Sequence, residues 1–430
     1  MTDIALDLPA HQRAELLHAI EALADRGLFL QAHALAGRLG DYRQWRDPAA
    51  LALACRLVGH MGAPRLADAL AWRTYRRHPE SPEARLRYAR FLLSRRGQFR
   101  AWRFVQGFNG WLPEAPELRA EWLSFLGYLH ALLRDFDRSA ECHAEAERLL
   151  PGDPWLPVER SYSLEQEDRY EEALALCEAV LAERPDYRSA QHQAAQLELQ
   201  LGREDAALAR LRADCARSES ASLCAQLTDL LIEREALDEA EHWLAHGEQL
   251  APLMEKGMRG WYAARRCDIA CLRGDLAAGY RLALESESPF YRKVAEHLAE
   301  PQGRRCLLPV RFVRQHHMTC VPATLTALSG YWGRPVGHLE VAEEICYDGT
   351  SHQAERAWGE RNGWLAREFT VDWATSRALI DRGIPFTLTL QYTGSGHLQA
   401  VVGYDEPRGT LLIRDPGQAH FGESLAVGLL

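Results

Sequence analysis

The sequence is poor in cysteine and has no Cys-x-x-Cys pair. Ten cysteines in 430 residues are too few for a disulfide scaffold. Without a Cys-x-x-Cys pair, zinc ribbons and thioredoxin-type redox motifs have no support either. Most of the cysteines stand among leucine and alanine in helical-looking segments, which predicts reduced, buried thiols in a cytosolic protein.

The sequence also lacks a basic excess and a long apolar run. Lysine and arginine total 50 against 60 aspartates and glutamates, a net charge of −10, so nucleic acid is not the expected partner. No stretch approaches about 18 uninterrupted apolar residues, which argues against a membrane-spanning helix. The first residues, Met1–Asp7, lack the basic region of a secretory signal. Together these absences predict a cytoplasmic protein.

What is present is an ordinary globular composition that changes along the chain. Hydrophobic residues make up 47% and charged residues 26%, which excludes a wholly disordered chain. Residues 1–300 are rich in alanine, leucine, arginine and glutamate. Valine, threonine, isoleucine and glycine increase from about residue 303, and alternating segments such as Pro385–Leu390 indicate strands. The sequence therefore predicts two parts, a helical one over 1–300 and a mixed one over 301–430.

Two markers recur with nearly the same period in the first part. Prolines are spaced by 34, 38 and 34 residues, and a small residue behind a short turn recurs every 33 to 39 residues. A small residue lets two helices approach closely, and a proline ends the second helix, so the pattern predicts stacked helix pairs. The prolines are Pro79, Pro113, Pro151 and Pro185, and the small residues are Ala32, Ala67, Ala101, Ser139, Ala173, Ala207, Ala240 and Gly279.

This pattern resembles the tetratricopeptide repeat (TPR), a helix-turn-helix unit of about 34 residues. The resemblance covers roughly residues 8–285 as about eight helix pairs, with a final helix at Pro289–Ala299 as a cap. It implies an all-α superhelical solenoid whose concave groove receives a peptide or protein. The repeats leave a second interpretation open, a scaffold or dimerisation surface without a ligand in its groove.

The second part contains the cysteine in the most reactive setting. Thr319 is a good N-cap, Pro322 suits a first helical turn, and the residues up to Tyr331 are apolar. We therefore expect Cys320 at a helix N-terminus, where free N–H groups and the helix dipole favour the thiolate. The thiolate is the nucleophilic form, so Cys320 is the predicted nucleophile, and a buried structural thiol is the alternative.

A base and an orienting group follow further along the chain. His397 opens an apolar run behind the glycine-rich turn Gly394–Gly396, and Asp415 ends the next run. Two adjacent strands would bring His397 and Asp415 into hydrogen-bond contact, as a cysteine nucleophile requires of its base. Gln315, five residues before Cys320, has an amide that can donate to a developing oxyanion.

This order of residues resembles the bacteriocin-processing peptidases, papain-like cysteine peptidases that cut double-glycine leader peptides. The matching stretch covers about 310–416 and implies an α+β papain-like domain in a bacterial hydrolase. Cys320 would be the nucleophile, and His397 the general base and then acid. Asp415 would orient His397, and Gln315 would complete the oxyanion hole with the backbone N–H of Cys320.

The sequence departs from this family on both sides of the cysteine. Family members often have an acidic residue before it and a glycine after it, whereas Thr319 and Val321 stand there. We expect Val321 to narrow the groove or to alter the choice of substrate. No transporter segment accompanies the domain, so coupling to export has no support and the substrate stays open.

Other sites have little support in the sequence. His316 and His317 are adjacent and lack further ligands, so neither a metal site nor a cofactor is predicted. Gly394–Gly396 lacks the further glycine and the Lys-Ser/Thr of a nucleotide loop, and no Gly-x-Ser-x-Gly elbow occurs. Two alternatives to a peptidase remain, a non-enzymatic binding domain and an acyl or peptidyl transferase on the same fold.

Three local expectations complete the prediction. Asn362–Trp364 predicts a turn into a strand, and Val371–Ile380 predicts a capped helix that ends at Gly383. The apolar ending Ala426–Leu430, 15 residues beyond Asp415, predicts that a closing strand is cut short and that the native protein is longer.

Overall fold

The computed structural model describes residues 9–425, so the expectations for Met1–Asp7 and Ala426–Leu430 lie outside the described residues. The described chain is helical up to residue 298, where eight consecutive helix pairs are followed by a single helix. The helices are α1 (Ala10–Asp25), α2 (Phe29–Ala36), α3 (Pro48–His60), α4 (Pro64–Arg77), α5 (Pro82–Arg96), α6 (Gln98–Gln106), α7 (Pro116–Leu132), α8 (Phe136–Leu149), α9 (Trp155–Gln166), α10 (Tyr170–Glu183), α11 (Arg188–Gln200), α12 (Glu204–Cys215), α13 (Ala221–Glu233), α14 (Leu237–Gln249), α15 (Lys256–Leu272), α16 (Leu276–Glu285) and α17 (Pro289–Leu298). This array confirms the predicted TPR-like fold class of the first part.

The small residues of the repeat pattern lie where paired helices touch. Gly279 of α16 shows the reason, because a Cβ at this position would lie 2.7 Å from the sulfur of Cys271 in α15. Prolines also begin several helices at their first position, a role that the spacing of the repeats does not reveal. The small residues with no exposed surface are Ala32, Ala101, Ala173, Ala207 and Ala240.

The described residues divide into two compact units. One contains the chain up to Glu198 together with Glu204–Leu227 and His242–Met258. The other contains Leu199–Arg203, Thr228–Glu241 and the chain from Arg259 onward. The second unit thus includes parts of the last helix pairs as well as the C-terminal sheet. The boundary near residue 301, inferred from composition, stays a prediction.

In the first unit, early helix pairs also bond to later ones. The N–H of Glu219 donates to the carbonyl of Gly27 at 2.9 Å, and the N–H of Glu255 donates to that of Gly62 at 2.8 Å. A solenoid whose repeats touched only their neighbours would have no such bonds. These repeats are therefore fixed against one another by more than stacking.

The C-terminal part is built on one antiparallel sheet. Its strands are β1 (Arg305–Leu307), β2 (Phe386–Tyr392), β3 (Ser395–Asp405), β4 (Thr410–Arg414) and β5 (Gly422–Leu425). The central strand β3 pairs with β4 on one edge and with both β1 and β2 on the other, while β5 pairs with β4. The accompanying helices are α18 (Cys320–Tyr331), α19 (His338–Ile345), α20 (His352–Arg361) and α21 (Trp373–Ile380).

Of two local predictions for this part, the structure agrees with one and not with the other. Asp372 caps α21 by accepting a hydrogen bond from the N–H of Thr375 at 2.8 Å, as its capping pattern predicts. The strand expected after Asn362–Trp364 is absent, and the chain from 364 to 372 is irregular. Trp364 instead packs near Trp358 and under the guanidinium of Arg334, 4.5 Å from its ring centre. Its apolar surface is buried without a partner strand.

Candidate active site

The sulfur of Cys320 lies at the start of α18. Cys320 is the first residue of this helix and is partly buried. The backbone N–H groups of Leu398 and Val321 act to lower the pKa of its thiol. Because N–H groups at a helix N-terminus stabilise negative charge, this position favours the thiolate.

Thr319 occupies the N-cap position before Cys320, but its side chain makes no capping bond. The hydroxyl accepts instead from the backbone N–H of His316 at 2.8 Å, and it lies 3.1 Å from the carbonyl of the same residue. It is also 2.8 Å from Nε2 of His338 in α19. The hydroxyl thus closes the turn that carries the chain from His316 to Cys320.

His397 is brought to Cys320 by the packing of α18 on β3. Thr324, a buried residue of α18, donates its hydroxyl to the carbonyl of Leu398 at 3.2 Å. This bond fixes the helix against the strand one residue beyond His397. The imidazole of His397 comes close enough to the thiol of Cys320 to lower the pKa of that thiol, as the base of a nucleophile must.

Asp415 reaches His397 through the register of β3 and β4. Ala400 stands opposite Arg414, so Asp415 follows on the strand end that faces His397 diagonally. Nε2 of His397 lies 2.8 Å from Oδ1 of Asp415. The same oxygen accepts the N–H of Gly417 at 2.7 Å. Because Nε2 is engaged by Asp415, Nδ1 is the ring nitrogen left for the sulfur of Cys320.

The charges at these three residues support one another. Hydrogen bonds to Asp415 and to Cys320 raise the pKa of His397 to about 10, against the opposing effect of burial. Burial acts to raise the pKa of Cys320, but the bonds from His397 and the backbone of Leu398 outweigh it and lower that pKa. Burial likewise opposes ionisation of Asp415, yet its bonds to His397 and Gly417 lower its pKa. The arrangement therefore favours a thiolate beside an imidazolium.

Gln315 lies on the segment that is bonded to the turn after Asp415. Its N–H donates to the carbonyl of Pro416 at 3.0 Å, and the guanidinium of Arg314 donates to the carbonyl of Gly417. The side-chain oxygen of Gln315 is buried and has no hydrogen-bond partner. The backbone of Gln315 is thus fixed beside the turn after Asp415, and its side-chain amide has N–H donors to offer a substrate oxygen.

The structure thus brings Cys320, His397 and Asp415 together and places the backbone of Gln315 next to the turn after Asp415. The position of Val321 differs from the expectation that this residue narrows the groove. It is only 7% exposed and packs with Trp358 and Ile345, so it does not line a groove. Sequence reasoning also missed the bond between Thr319 and His338, because no local pattern relates residues 19 positions apart.

Within residues 9–425, no group of three or more histidine, cysteine, aspartate or glutamate side chains has the arrangement of a metal site. Among the helices of this range, none has the length and apolar character needed to cross a membrane.

Comparison with known families gives one match, in the second part of the chain. Residues 307–425 match the model of the Peptidase_C39 like family. The match includes Gln315, Cys320, His397 and Asp415. No curated protein matches the chain.

Several solved structures are similar to this chain, and two of the three named here are described as a tetratricopeptide repeat protein or domain. The Cut9–Hcn1 hetero-tetramer of the APC/C is 12% identical, with a TM-score of 0.42, 69% of this chain covered and 58% of that one. A tetratricopeptide repeat protein from Parabacteroides merdae is 16% identical, with a TM-score of 0.35, 57% of this chain covered and 99% of that one. The TPR domain of P58(IPK) is 14% identical, with a TM-score of 0.22, 81% of this chain covered and 96% of that one. With such low TM-scores, the repeat assignment rests on the helix pairs themselves.

Proposed function

We propose that the chain is a cysteine peptidase of the cytosol that cleaves a polypeptide recruited by its helical repeats. The observation that carries this proposal is the position of His397, whose Nε2 hydrogen-bonds Asp415 and whose ring lies close enough to Cys320 to affect the pKa of both residues. The pKa directions of Cys320 and His397 support it, because they match an ion pair ready to attack a carbonyl.

In the proposed reaction, the thiolate of Cys320 attacks the carbonyl carbon of the scissile peptide bond. The oxyanion that forms receives hydrogen bonds from the amide of Gln315 and the backbone N–H of Cys320. The imidazolium of His397 gives its proton to the leaving amine as the C–N bond breaks, which leaves a thioester on Cys320. His397 then takes a proton from water, the resulting hydroxide attacks the thioester, and the sulfur leaves as thiolate. Asp415 keeps the Nε2–H tautomer of His397 throughout.

The recruiting role of the repeats rests on their architecture. TPR-like pairs present side chains from many units on a shared surface, which suits an extended polypeptide. A cytosolic location is supported by the cysteine content, which is too low for the disulfide scaffold of a secreted domain.

The test is covalent labelling of the full chain by a peptide-like electrophile, followed by mass spectrometry of each cysteine peptide. We expect Cys320 to label first and Cys320→Ala to lose this label without a change in thermal unfolding. Cys142→Ala is the matched control, because burial raises the pKa of the Cys142 thiol to about 11 and leaves it unreactive.

The outcome also decides between the alternatives. Equal labelling of wild type and Cys320→Ala would show that Cys320 is not the nucleophile and would favour a binding domain. If Cys320 labels, comparing the peptides of cells with wild type and with Cys320→Ala identifies the substrate. New amine-linked products in place of new termini would assign acyl or peptidyl transfer rather than hydrolysis.

A further inference from the structure

The turn that follows Asp415 connects the candidate active site to the helical array. We call Asp415–Phe421 the Asp415 loop. Its first residue binds His397, and its next two carbonyls accept the N–H of Gln315 and the guanidinium of Arg314. The positions of Asp415 and of Gln315 therefore both depend on where this loop lies.

The far end of the Asp415 loop is held by one carboxylate of α13. Oε2 of Glu233 lies 2.8 Å from Nδ1 of His420, and Oε1 accepts the backbone N–H of Phe421. The side chain of Glu233 is only 18% exposed, so both bonds are shielded from water. A single residue of the repeat array thus fixes two adjacent residues of the loop.

Bonds within the loop transmit this constraint to Asp415. The N–H of Gln418 donates to the carbonyl of Asp415 at 3.2 Å. Arg414, the residue before Asp415, donates to the carbonyl of Ala419 at 2.9 Å, and its guanidinium stacks on the ring of Phe421. A shift at His420 and Phe421 therefore moves the backbone on both sides of Asp415.

The loop borders open space on the side of Glu233. A cleft of about 430 Å³ is lined by Glu233, Gln418 and His420, so this end of the loop has room to move if the carboxylate is lost. The charged groups around His420 are Glu233 and Asp229 of α13 together with Arg414. Burial opposes the charge of His420, but the bond to Glu233 outweighs burial and raises the pKa of the imidazole, which favours an ion pair.

We propose that Glu233 is a positioning residue, through which helix α13 of the repeat array sets the place of Asp415 and hence the basicity of His397. The inference rests on the proposed function, since it assigns Glu233 a role in that same site. Glu233 touches none of the reacting atoms and acts through the Asp415 loop.

The test is an NMR titration of His397 in the full chain, with ¹³C-labelled histidine and Cys320→Ala as the reference. In this reference Asp415 is the main group that raises the pKa of His397. We expect Glu233→Gln to lower that pKa by about one pH unit, a tenfold change in the dissociation constant, and Asp415→Asn to lower it further. His420→Gln should act in the same direction as Glu233→Gln.

The matched control is Glu235→Gln. Glu235 lies two residues further along and pairs with Arg305 of β1 at 3.0 Å, so it also joins the end of α13 to the sheet without touching the Asp415 loop. We expect this variant to leave the titration of His397 unchanged. If Glu233→Gln lowers the unfolding temperature but leaves that titration unchanged too, Glu233 is merely structural and the inference is overturned.

Failure of the proposed function has a separate signature. If wild-type Cys320 does not label, the peptidase assignment falls even where Glu233→Gln still changes the titration of His397. If Cys320 labels and the titration of His397 does not respond to Glu233→Gln, only the inference about Glu233 falls. Should Glu233→Gln fail to fold, His420→Gln decides in its place, because it leaves the N–H of Phe421 bonded to Glu233.

Discussion

Replacing Thr319 by valine tests whether the turn before Cys320 positions Gln315, the proposed oxyanion donor. Valine has nearly the shape of threonine, so the change removes the hydroxyl and little else. The buried hydroxyl makes bonds of 2.8 Å to the His316 N–H and 2.8 Å to Nε2 of His338. Depriving a buried donor of its acceptor costs about 1–3 kcal/mol, enough to shift the equilibrium conformation of the turn.

The expected effect differs between two reactions of Cys320. Alkylation by iodoacetamide needs the thiolate but no oxyanion hole, so Thr319→Val should leave its rate nearly unchanged. Acylation by a p-nitrophenyl ester builds an oxyanion, to which Gln315 donates a hydrogen bond in the proposed mechanism. Losing one oxyanion donor costs about 10²–10³-fold in rate, and we expect Thr319→Val to lose about tenfold because it displaces Gln315 without removing it.

The control for this prediction is a threonine of α18, the helix that follows Thr319. The hydroxyl of Thr326 in α18 is buried without a hydrogen-bond partner. Thr326→Val should therefore be neutral or stabilising, with both rates unchanged. The reasoning is refuted if Thr319→Val slows alkylation and acylation equally, or if it slows neither.

The remaining predictions concern the bond between Asp415 and His397 and the packing of the repeat helices. Because Asp415 and, to a smaller extent, Cys320 raise the pKa of His397 to about 10, the stability that they add is complete below pH 6.5 and lost as the pH rises through 10. Asp415→Asn should therefore remove the larger part of this pH-dependent stability from thermal unfolding, whereas Asp372→Asn, at the cap of α21, should not. Gly279→Ala should destabilise the array by about 1–3 kcal/mol in urea unfolding, because its Cβ would meet the sulfur of Cys271 at 2.7 Å. Gly257→Ala, a helical position with nothing within 4 Å, should be neutral or stabilising.

The parts of the fold that were predictable are those with a local signal. The repeat period placed Ala173 and Ala207 in tight helix contacts, since each position depends on a turn and an apolar stripe within its own unit. The helix that begins at Cys320 was predictable from Pro322 and the apolar residues behind it. The approach of His397 to Asp415 followed from the pairing of neighbouring strands.

What escaped prediction depends on contacts between distant segments. Thr319 was expected to cap α18, but its hydroxyl bonds to His338, which no spacing rule connects to it. Val321 was expected in a groove, but the helix turns it toward Trp358. Glu233 lies 187 positions from His420, in a helix whose sequence pattern has no special feature at that residue. Such pairs become visible only when both segments have been placed.

In the proposed function, the position of Glu233 connects the binding of a polypeptide to the repeats with its cleavage by Cys320. If a polypeptide bound to the repeats moves α13, it acts on His397 through the Asp415 loop and changes the protonation of that residue. Linkage is reciprocal, so the protonation of His397 must then change the affinity of the array for the same polypeptide. The affinity of the repeats for the polypeptide should therefore change as His397 titrates, and Glu233→Gln should abolish this change. Such a change in affinity is the thermodynamic counterpart of any activation of Cys320 by recruited substrate.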